Sequence, residues 1–127
     1  MTLEISLERL LDKIDSVPTR NCLVEGGKIT IIHMLRGDYT VFFEEDTLPT
    51  YEFGYRICIR DPEFGILNIP IVQFIGKDSS TSDYEKMRRA FIALKIRIEE
   101  DFERGYEAFR QKRQRSLRDD FKDLLDE

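Results

Sequence analysis

The chain is poor in the residues from which metal sites and nucleophilic sites are built. Its 127 residues include one histidine, His33, two cysteines, Cys22 and Cys58, and no tryptophan. The cysteines form no CxxC pair, so one chain lacks the ligand set of a zinc site. A Cys/His nucleophile would need His33 and Cys58 to meet across neighbouring strands, but both lie in apolar patterns typical of strand interiors. We expect no cofactor, no bound metal and no enzymatic activity.

Long apolar runs are also absent. No run approaches the roughly 20 residues that a transmembrane helix needs. The first residues, MTLEISLERLLDKID, are acidic where a secretion signal is basic and then apolar. Two isolated cysteines are most simply explained as reduced thiols, with a disulfide between them as the alternative. These features predict a cytoplasmic protein that has no membrane partner.

An excess of positive charge is missing as well. The formal net charge is -5, and this sign opposes general attraction to nucleic-acid phosphates. The chain has instead 41% hydrophobic and 35% charged residues, which is typical of one globular domain with a large solvated surface. No motif identifies a family or a small-molecule substrate.

Hydrophobic periodicity predicts an α+β fold. Apolar residues from Leu3 to Ile14 recur at helical spacing, and Pro18 ends this N-terminal helix. The period then changes to two, which predicts four strands in an antiparallel meander. The predicted strands are the segments KITIIHMLR, YTVFFEED, YEFGYRICIR and ILNIPIVQFI.

Two of these strands have features that place them in the sheet. In YEFGYRICIR, every second residue from Tyr51 to Ile59 is aromatic or aliphatic. This pattern predicts a face buried under a helix, with an RNA-stacking face as the alternative. In the last strand, Asn68 and Gln73 would point to opposite faces if the strand were regular. We therefore expect a bulge near Pro70 and an edge position.

A long C-terminal helix follows the sheet. Ser82 and Glu85 have the spacing of a capping box. An apolar row then runs from Tyr84 to Phe109 in steps of three or four residues. A helix continuing to the end of the chain would be on the order of 65 Å long, more than a domain of this size spans, so it must bend, break or project. This helix is predicted to pack on one face of the sheet and to project at its end.

Two features favour a break in this helix. Gly105 weakens a helix, and the apolar row lapses between Phe109 and Leu117. Ser116 then has the position of a second cap. The predicted division is a single domain over residues 1–109 and an arm over residues 110–127.

The arm combines a basic neck with an amphipathic terminal helix. The basic neck consists of Arg110, Lys112, Arg113, Arg115 and Arg118, and the candidate partner-binding residues are Phe109, Leu117, Phe121, Leu124 and Leu125. An apolar edge on a charged helix is typical of a docking helix, and folding back onto the domain or pairing with a second copy are alternatives. Nucleic-acid binding through the basic neck is a further alternative, but Phe109 is its only aromatic neighbour and acidic residues follow directly.

Charge along the long helix is arranged in blocks. Residues 86–97 and 110–118 are basic, whereas residues 99–107 and 119–127 are mostly acidic. Two copies packed antiparallel would place opposite charges together, and a parallel pair would place like charges together. If the protein is a dimer, we expect an antiparallel contact. Local pairs three or four residues apart are the alternative explanation of the blocks.

Acidic side chains collect in turns at the strand ends. Glu44, Glu45 and Asp46 close one predicted strand, and Asp38, Asp61 and Glu63 lie in nearby turns. No calcium-loop pattern or nuclease pattern accompanies them. Solvated strand ends are therefore the preferred interpretation, and a small metal-dependent enzyme is the second alternative function.

The predicted function is that of a non-enzymatic protein–protein interaction module, such as an adaptor, an inhibitor or a partner-specific chaperone. The expected partner of the C-terminal arm is another protein or a second copy of the chain. We do not expect nucleic acid, a membrane or a small molecule as the partner.

Overall fold

A computed structural model describes residues 6–64, 68–79 and 81–122, and these form an α+β fold. The elements in chain order are α1 (Leu7–Asp15), β1 (Cys22–Glu25), β2 (Lys28–Ile32), β3 (Thr40–Thr47), β4 (Phe53–Arg60), β5 (Asn68–Gly76) and α2 (Asp83–Asp120), with short 3₁₀ turns at Thr19–Asn21 and Pro62–Phe64. Both helices pack on the same face of the sheet and share one core. The predicted fold class is confirmed. No described helix has an apolar stretch long enough to cross a membrane.

Local signals explain the position of α1. Ser6 is the N-cap residue, and its hydroxyl accepts a hydrogen bond from the amide of Arg9 at 3.5 Å. The apolar stripe of this helix, Leu10, Leu11 and Ile14, is buried. The predicted helical pattern begins at Leu3, which lies outside the described residues.

The sheet has five strands, one more than the pattern predicted. The order is β1-β2-β3-β4-β5, and each strand is antiparallel to the next. The meander topology is therefore confirmed, and the predicted number of four strands is wrong. The missed strand, β1, has four residues, which is too short for an alternation to be recognised. Gly26 and Gly27 connect it to β2, and Gly26 has a φ of +58°, which glycine adopts without strain.

Two segments that were predicted as strands lie in loops. β2 ends at Ile32, and the exposed His33 that follows has a φ of +60°, outside the β region. Tyr51, which alternation places on the buried face, has a φ of +65° and is 91% exposed. β4 begins at Phe53, and from there the predicted alternation is confirmed because Tyr55 is buried.

β5 is an edge strand with an irregular register, as the pattern around Pro70 predicted. Ile57 is opposite Val72, but the next residue, Cys58, is opposite Pro70. Ile71 therefore has no partner on β4, and β5 has one extra residue at this point. Such an extra residue in one of two paired strands is a β-bulge. A proline, which cannot donate to a ladder, is tolerated at such an edge.

The hydrophobic core lies between the sheet and the two helices. The ring of Phe91 in α2 is at its centre, and its centroid lies 5.2 Å from the rings of both Phe43 and Tyr55. Tilted and edge-on ring contacts stabilise the core beyond the burial of area alone. The remaining side chains of the buried cluster are Leu10, Leu11, Ile14, Val17, Ile29, Ile31, Met34, Val41, Ile57, Met87, Leu94 and Ile98.

Alkaline pH is expected to weaken this core through Tyr55. Burial raises the pKa of Tyr55 from its ordinary value of 10.0 to about 12. Since the folded pKa lies above the unfolded one, the neutral phenol stabilises the fold below pH 10, and this contribution is lost as the pH rises to about 12. The urea midpoint should fall over this range. A Tyr55→Phe variant should lose less of its midpoint over the same range, and an equal loss in both proteins would contradict the assignment.

Helix α2 is continuous over 38 residues, from Asp83 to Asp120. The predicted break at Gly105 is wrong, and Ser116 is a residue of the helix interior and not a second cap. One glycine costs a helix about 1 kcal/mol, which is too little to end a helix whose neighbouring residues are mostly Glu, Ala, Arg, Gln and Lys. The predicted start is confirmed at Ser82, although its side chain makes no capping hydrogen bond.

Candidate functional site

The burial of the apolar row in α2 changes between Ile98 and Phe102. In the first half of the helix, Met87, Phe91, Leu94 and Ile98 are at most 8% exposed. Four residues after Ile98, on the same side of the helix, Phe102 is 71% exposed. From Phe102 to Asp119, every residue of α2 is exposed. One helix therefore presents the same apolar face first to the core and then to solvent.

The helix leaves the domain beside the Thr19–Asn21 turn. The hydroxyl of Thr19 donates to the carboxylate of Asp101 at 2.6 Å, and one turn earlier the guanidinium of Arg97 donates to the carbonyl of Val17 at 2.9 Å. These two bonds hold the helix to the segment between α1 and β1. The five strands span about 19 Å at 4.8 Å spacing, which a helix crosses in about 13 residues. A helix of this length has to pass the edge of the sheet.

The exposed half of α2 and the residue that directly follows it present five large apolar side chains. We call these five the exposed row: Phe102 (71% exposed), Tyr106 (57%), Phe109 (63%), Leu117 (45%) and Phe121 (49%). The rings of Phe102 and Tyr106 are stacked at 14° with centroids 6.3 Å apart. Steps of three and four residues keep the first three rings on one side of the helix.

Three of the five residues predicted to bind a partner belong to the exposed row. Phe109 and Leu117 are exposed on α2 and Phe121 is exposed directly after its last residue, whereas Leu124 and Leu125 lie outside the described residues. Phe102 and Tyr106 were missed as surface residues, because the row was assigned to the domain as far as residue 109. The length of the apolar row could have predicted their exposure. The steps from Tyr84 to Phe109 cover about 38 Å of helix, which is more than a small sheet can bury.

The basic neck is part of the helix and is exposed throughout. Within the described residues, Arg110, Lys112, Arg113 and Arg115 have no acidic side chain at salt-bridge distance. Elsewhere on α2 the charges do pair locally, for example Arg88 and Arg89 with Glu85, and Arg104 with Asp101. The expectation of local pairs thus describes other parts of the helix but not these four cations.

Arg113 and Arg115 differ in where they lie on the helix. Arg113 is four residues after Phe109 and four residues before Leu117, so it occupies the gap in the exposed row. Arg115 is two residues further on and faces the other side of the helix. The basic neck therefore contributes Arg113 to the apolar face and Arg115 to the opposite face.

An open cleft lies where the exposed row meets the domain. It has a volume of about 330 Å³ and is lined by Thr19, Arg20, Cys22, Ile98, Asp101 and Phe102. Burial raises the pKa of the Cys22 thiol above its ordinary value. The raised pKa favours the protonated thiol, which is less reactive than the thiolate. The cleft is suited to receiving a side chain at the base of the exposed half of α2.

The sheet face opposite the helices is a second exposed surface. Phe42 lies on this face but is only 5% exposed, because Lys28 and Arg60 lie over its ring at 5.2 and 4.9 Å from the centroid. Cys58, its neighbour on β4, is also buried, and burial raises the pKa of its thiol. A protonated, covered thiol is a poor nucleophile.

The acidic side chains near the end of β3 and in the turn after β4 make local ion pairs and hydrogen bonds. Glu44 accepts from the guanidinium of Arg56 at 2.7 Å, and Asp46 lies 3.5 Å from the same group. Asp61 accepts from the amide of Glu63 at 3.0 Å. Among the residues that the structure describes, no three His, Cys, Asp or Glu side chains are grouped as metal ligands.

Comparison with known proteins identifies no relative. The chain matches no family model, no curated protein and no solved structure. Function must therefore be inferred from the surfaces that this fold exposes, and the exposed row places five exposed large apolar side chains along one segment of the chain.

Proposed function

We propose that this chain is a non-enzymatic protein–protein interaction module that binds its partner through the exposed row of α2. The observation that supports this is the continuity of one apolar row from the core into solvent, with Phe102, Tyr106 and Phe109 more than half exposed. Contiguous apolar surface of this kind marks binding sites on soluble proteins. An amphipathic helix that inserts its apolar face into a partner is a common mode of recognition.

The uninterrupted course of α2 supports binding to another chain over folding back. A terminal helix can return to its own domain only through a break, and α2 has none between Asp83 and Asp120. The exposed half is about 28 Å long over residues 102–120, so most of it lies beyond the sheet. We propose that this half of the helix projects as an arm and that a partner covers the exposed row.

Site-specific photocrosslinking would test this proposal. A photoreactive phenylalanine analogue at position 106, in the row, is expected to crosslink the full chain to a protein in the cells that express it. The matched control is the same analogue at Gln111, which is exposed and two residues beyond Phe109, on the opposite side of the helix. Gln111 should give little product, because that face has no apolar surface to bury.

The pattern of products decides the result. A product of defined mass from position 106 but not from position 111 supports binding through the row. Equal products from both positions would indicate chance collisions, and no protein product from either position would contradict the proposed function.

Nucleic-acid binding by the basic neck is the competing function, and four of its cations have no acidic partner within the described residues. Charge reversal separates the two functions because Arg113 and Arg115 lie on different faces. Binding through the row predicts that Arg113→Glu lowers the crosslink yield from position 106 about tenfold, while Arg115→Glu changes it less than about twofold.

Phosphate binding predicts a different result for the same two variants. It depends on the total positive charge, so both substitutions would weaken it by similar factors. We expect fluorescence anisotropy with single-stranded and duplex oligonucleotides to show no saturable binding at physiological salt. Saturable binding that both variants lose equally would favour the nucleic-acid function.

A further inference from the structure

We infer that the partner covering the exposed row is a second copy of this chain, packed antiparallel about a centre immediately after Phe109. This inference rests on the proposed function and adds the identity of the partner and its register. It is supported by the spacing of the row, the position of one arginine, the order of the charges and the location of one cleft.

The spacing of the row is symmetric in a way that an antiparallel pair can use. Phe102 and Leu117 lie at equal distances on either side of the centre, and so do Tyr106 and Arg113. In an antiparallel pair with this centre, Phe102 of one copy is level with Leu117 of the other, and Tyr106 is level with Arg113. The two Phe109 side chains lie side by side at the middle. Phe102, Leu117 and Phe109 then meet members of the other copy's exposed row, whereas Tyr106 meets Arg113.

Arg113 is explained by this register. A cation in the middle of an apolar face would have to be desolvated against a purely apolar partner, which is costly. Opposite Tyr106 of the second copy, its planar guanidinium can stack on an aromatic ring while its edge stays in water. Tyr106 is 57% exposed, so its side chain is accessible for this contact.

The order of the charges also favours the antiparallel pair. Residues 99–107 contain five acidic side chains and one basic one, and residues 110–118 contain five basic side chains and no acidic one. The antiparallel register places the acidic block of each copy beside the basic block of the other, and this happens twice in a symmetric pair. A parallel pair in register would place each block beside its own equivalent, which is repulsive.

The cleft at the base of the exposed half of α2 lies where the end of a second helix would reach. Phe121 is as far beyond the centre as Ile98 is before it. In the antiparallel pair, Phe121 of the second copy is therefore level with Ile98, which lines the cleft of about 330 Å³ together with Cys22 and Phe102. Each arm would thus end against the domain of the other copy.

Single cysteines introduced on separate chains would test the register. One full-length chain has Tyr106→Cys and a second has Arg113→Cys. Under mild oxidation, only their mixture is expected to give a disulfide-linked product at about twice the 15.1 kDa chain mass. Each variant alone should give none, since two copies of position 106 are about 10 Å apart along an antiparallel pair. The unmodified chain reports any contribution from Cys22 and Cys58.

Light scattering on the unmodified full chain accompanies this test, and a mass of about twice 15.1 kDa is expected at micromolar concentration. Crosslinking of the Tyr106→Cys chain with itself would indicate a parallel pair and overturn the register. A monomer at about 100 μM with no disulfide product would overturn self-association. If position 106 still gave a product of another mass in cells, the row would bind a different protein. The proposed function would then stand and this inference would fail.

Discussion

Replacing Phe91 by alanine is expected to lower the free energy of unfolding by about 3–5 kcal/mol, which is enough to unfold most domains of this size. The Phe91 side chain is 1% exposed, and its ring contacts the rings of both Phe43 and Tyr55. Truncation removes the burial of an aromatic ring and leaves a cavity between α2 and the sheet. Urea unfolding followed by circular dichroism would measure the loss.

Phe102→Ala is the matched control, because it changes the same residue type in the same row of the same helix. Phe102 is 71% exposed, so the free energy of unfolding should change by less than about 0.5 kcal/mol. Both variants should be measured at low protein concentration, where association adds little to the apparent stability. Equal losses in the two variants would contradict the position of the boundary between the buried and exposed parts of α2.

The second large effect is expected for Gly54→Ala in β4. A Cβ atom at this position would collide with the backbone oxygen of Ile75 and approach the ring of Phe74, both in β5. A backbone oxygen of a paired strand cannot move without breaking the ladder, so the variant should lose about 3 kcal/mol of stability. Urea unfolding would measure this loss, and amide exchange should show that β5 opens first.

Gly105→Ala provides the opposite control. A Cβ at Gly105 meets nothing within 4 Å, and the residue lies inside α2. Alanine should stabilise the helix locally by about 0.5–1 kcal/mol, which slows amide exchange in the exposed half about two- to fivefold. Faster exchange in this variant would contradict the placement of Gly105 in a regular, uncrowded part of α2.

The continuity of α2 through Gly105 shows that two signals in the sequence end at different residues. A lapse in apolar spacing after Phe109 was interpreted as a break in the helix, but it ends only the hydrophobic pattern. The backbone continues because the residues of the basic neck are strong helix formers. Side-chain polarity decides which face is buried, whereas local propensity decides whether the helix persists, and the two need not end at the same residue.

The candidate site was predicted only in part for a related reason. Phe109, Leu117 and Phe121 were expected on the surface, but Phe102 and Tyr106 were expected under the sheet. Both groups have the same residue types and the same spacing. Which rings are buried depends on where the edge of the sheet lies relative to the helix. That position is set by the number and register of the strands, and the short strand β1 was not recognised.

Local chemistry by itself determined much of this protein. The start of the long helix after Ser82, the buried face of β4 from Tyr55, and the edge position and bulge of β5 near Pro70 all follow from residue periodicity and from the inability of proline to donate to a ladder. Such features depend on neighbours within a few residues, so the sequence is sufficient to predict them.

Only the tertiary structure decided which parts of these elements are covered. The loop conformation of Tyr51, the fifth strand and the emergence of the apolar row at Phe102 depend on contacts between residues far apart in the chain. Identical apolar rings in α2 belong to the core or to the surface according to whether the sheet lies beneath them. The position of the sheet edge is a property of the assembled fold, because it depends on all five strands at once.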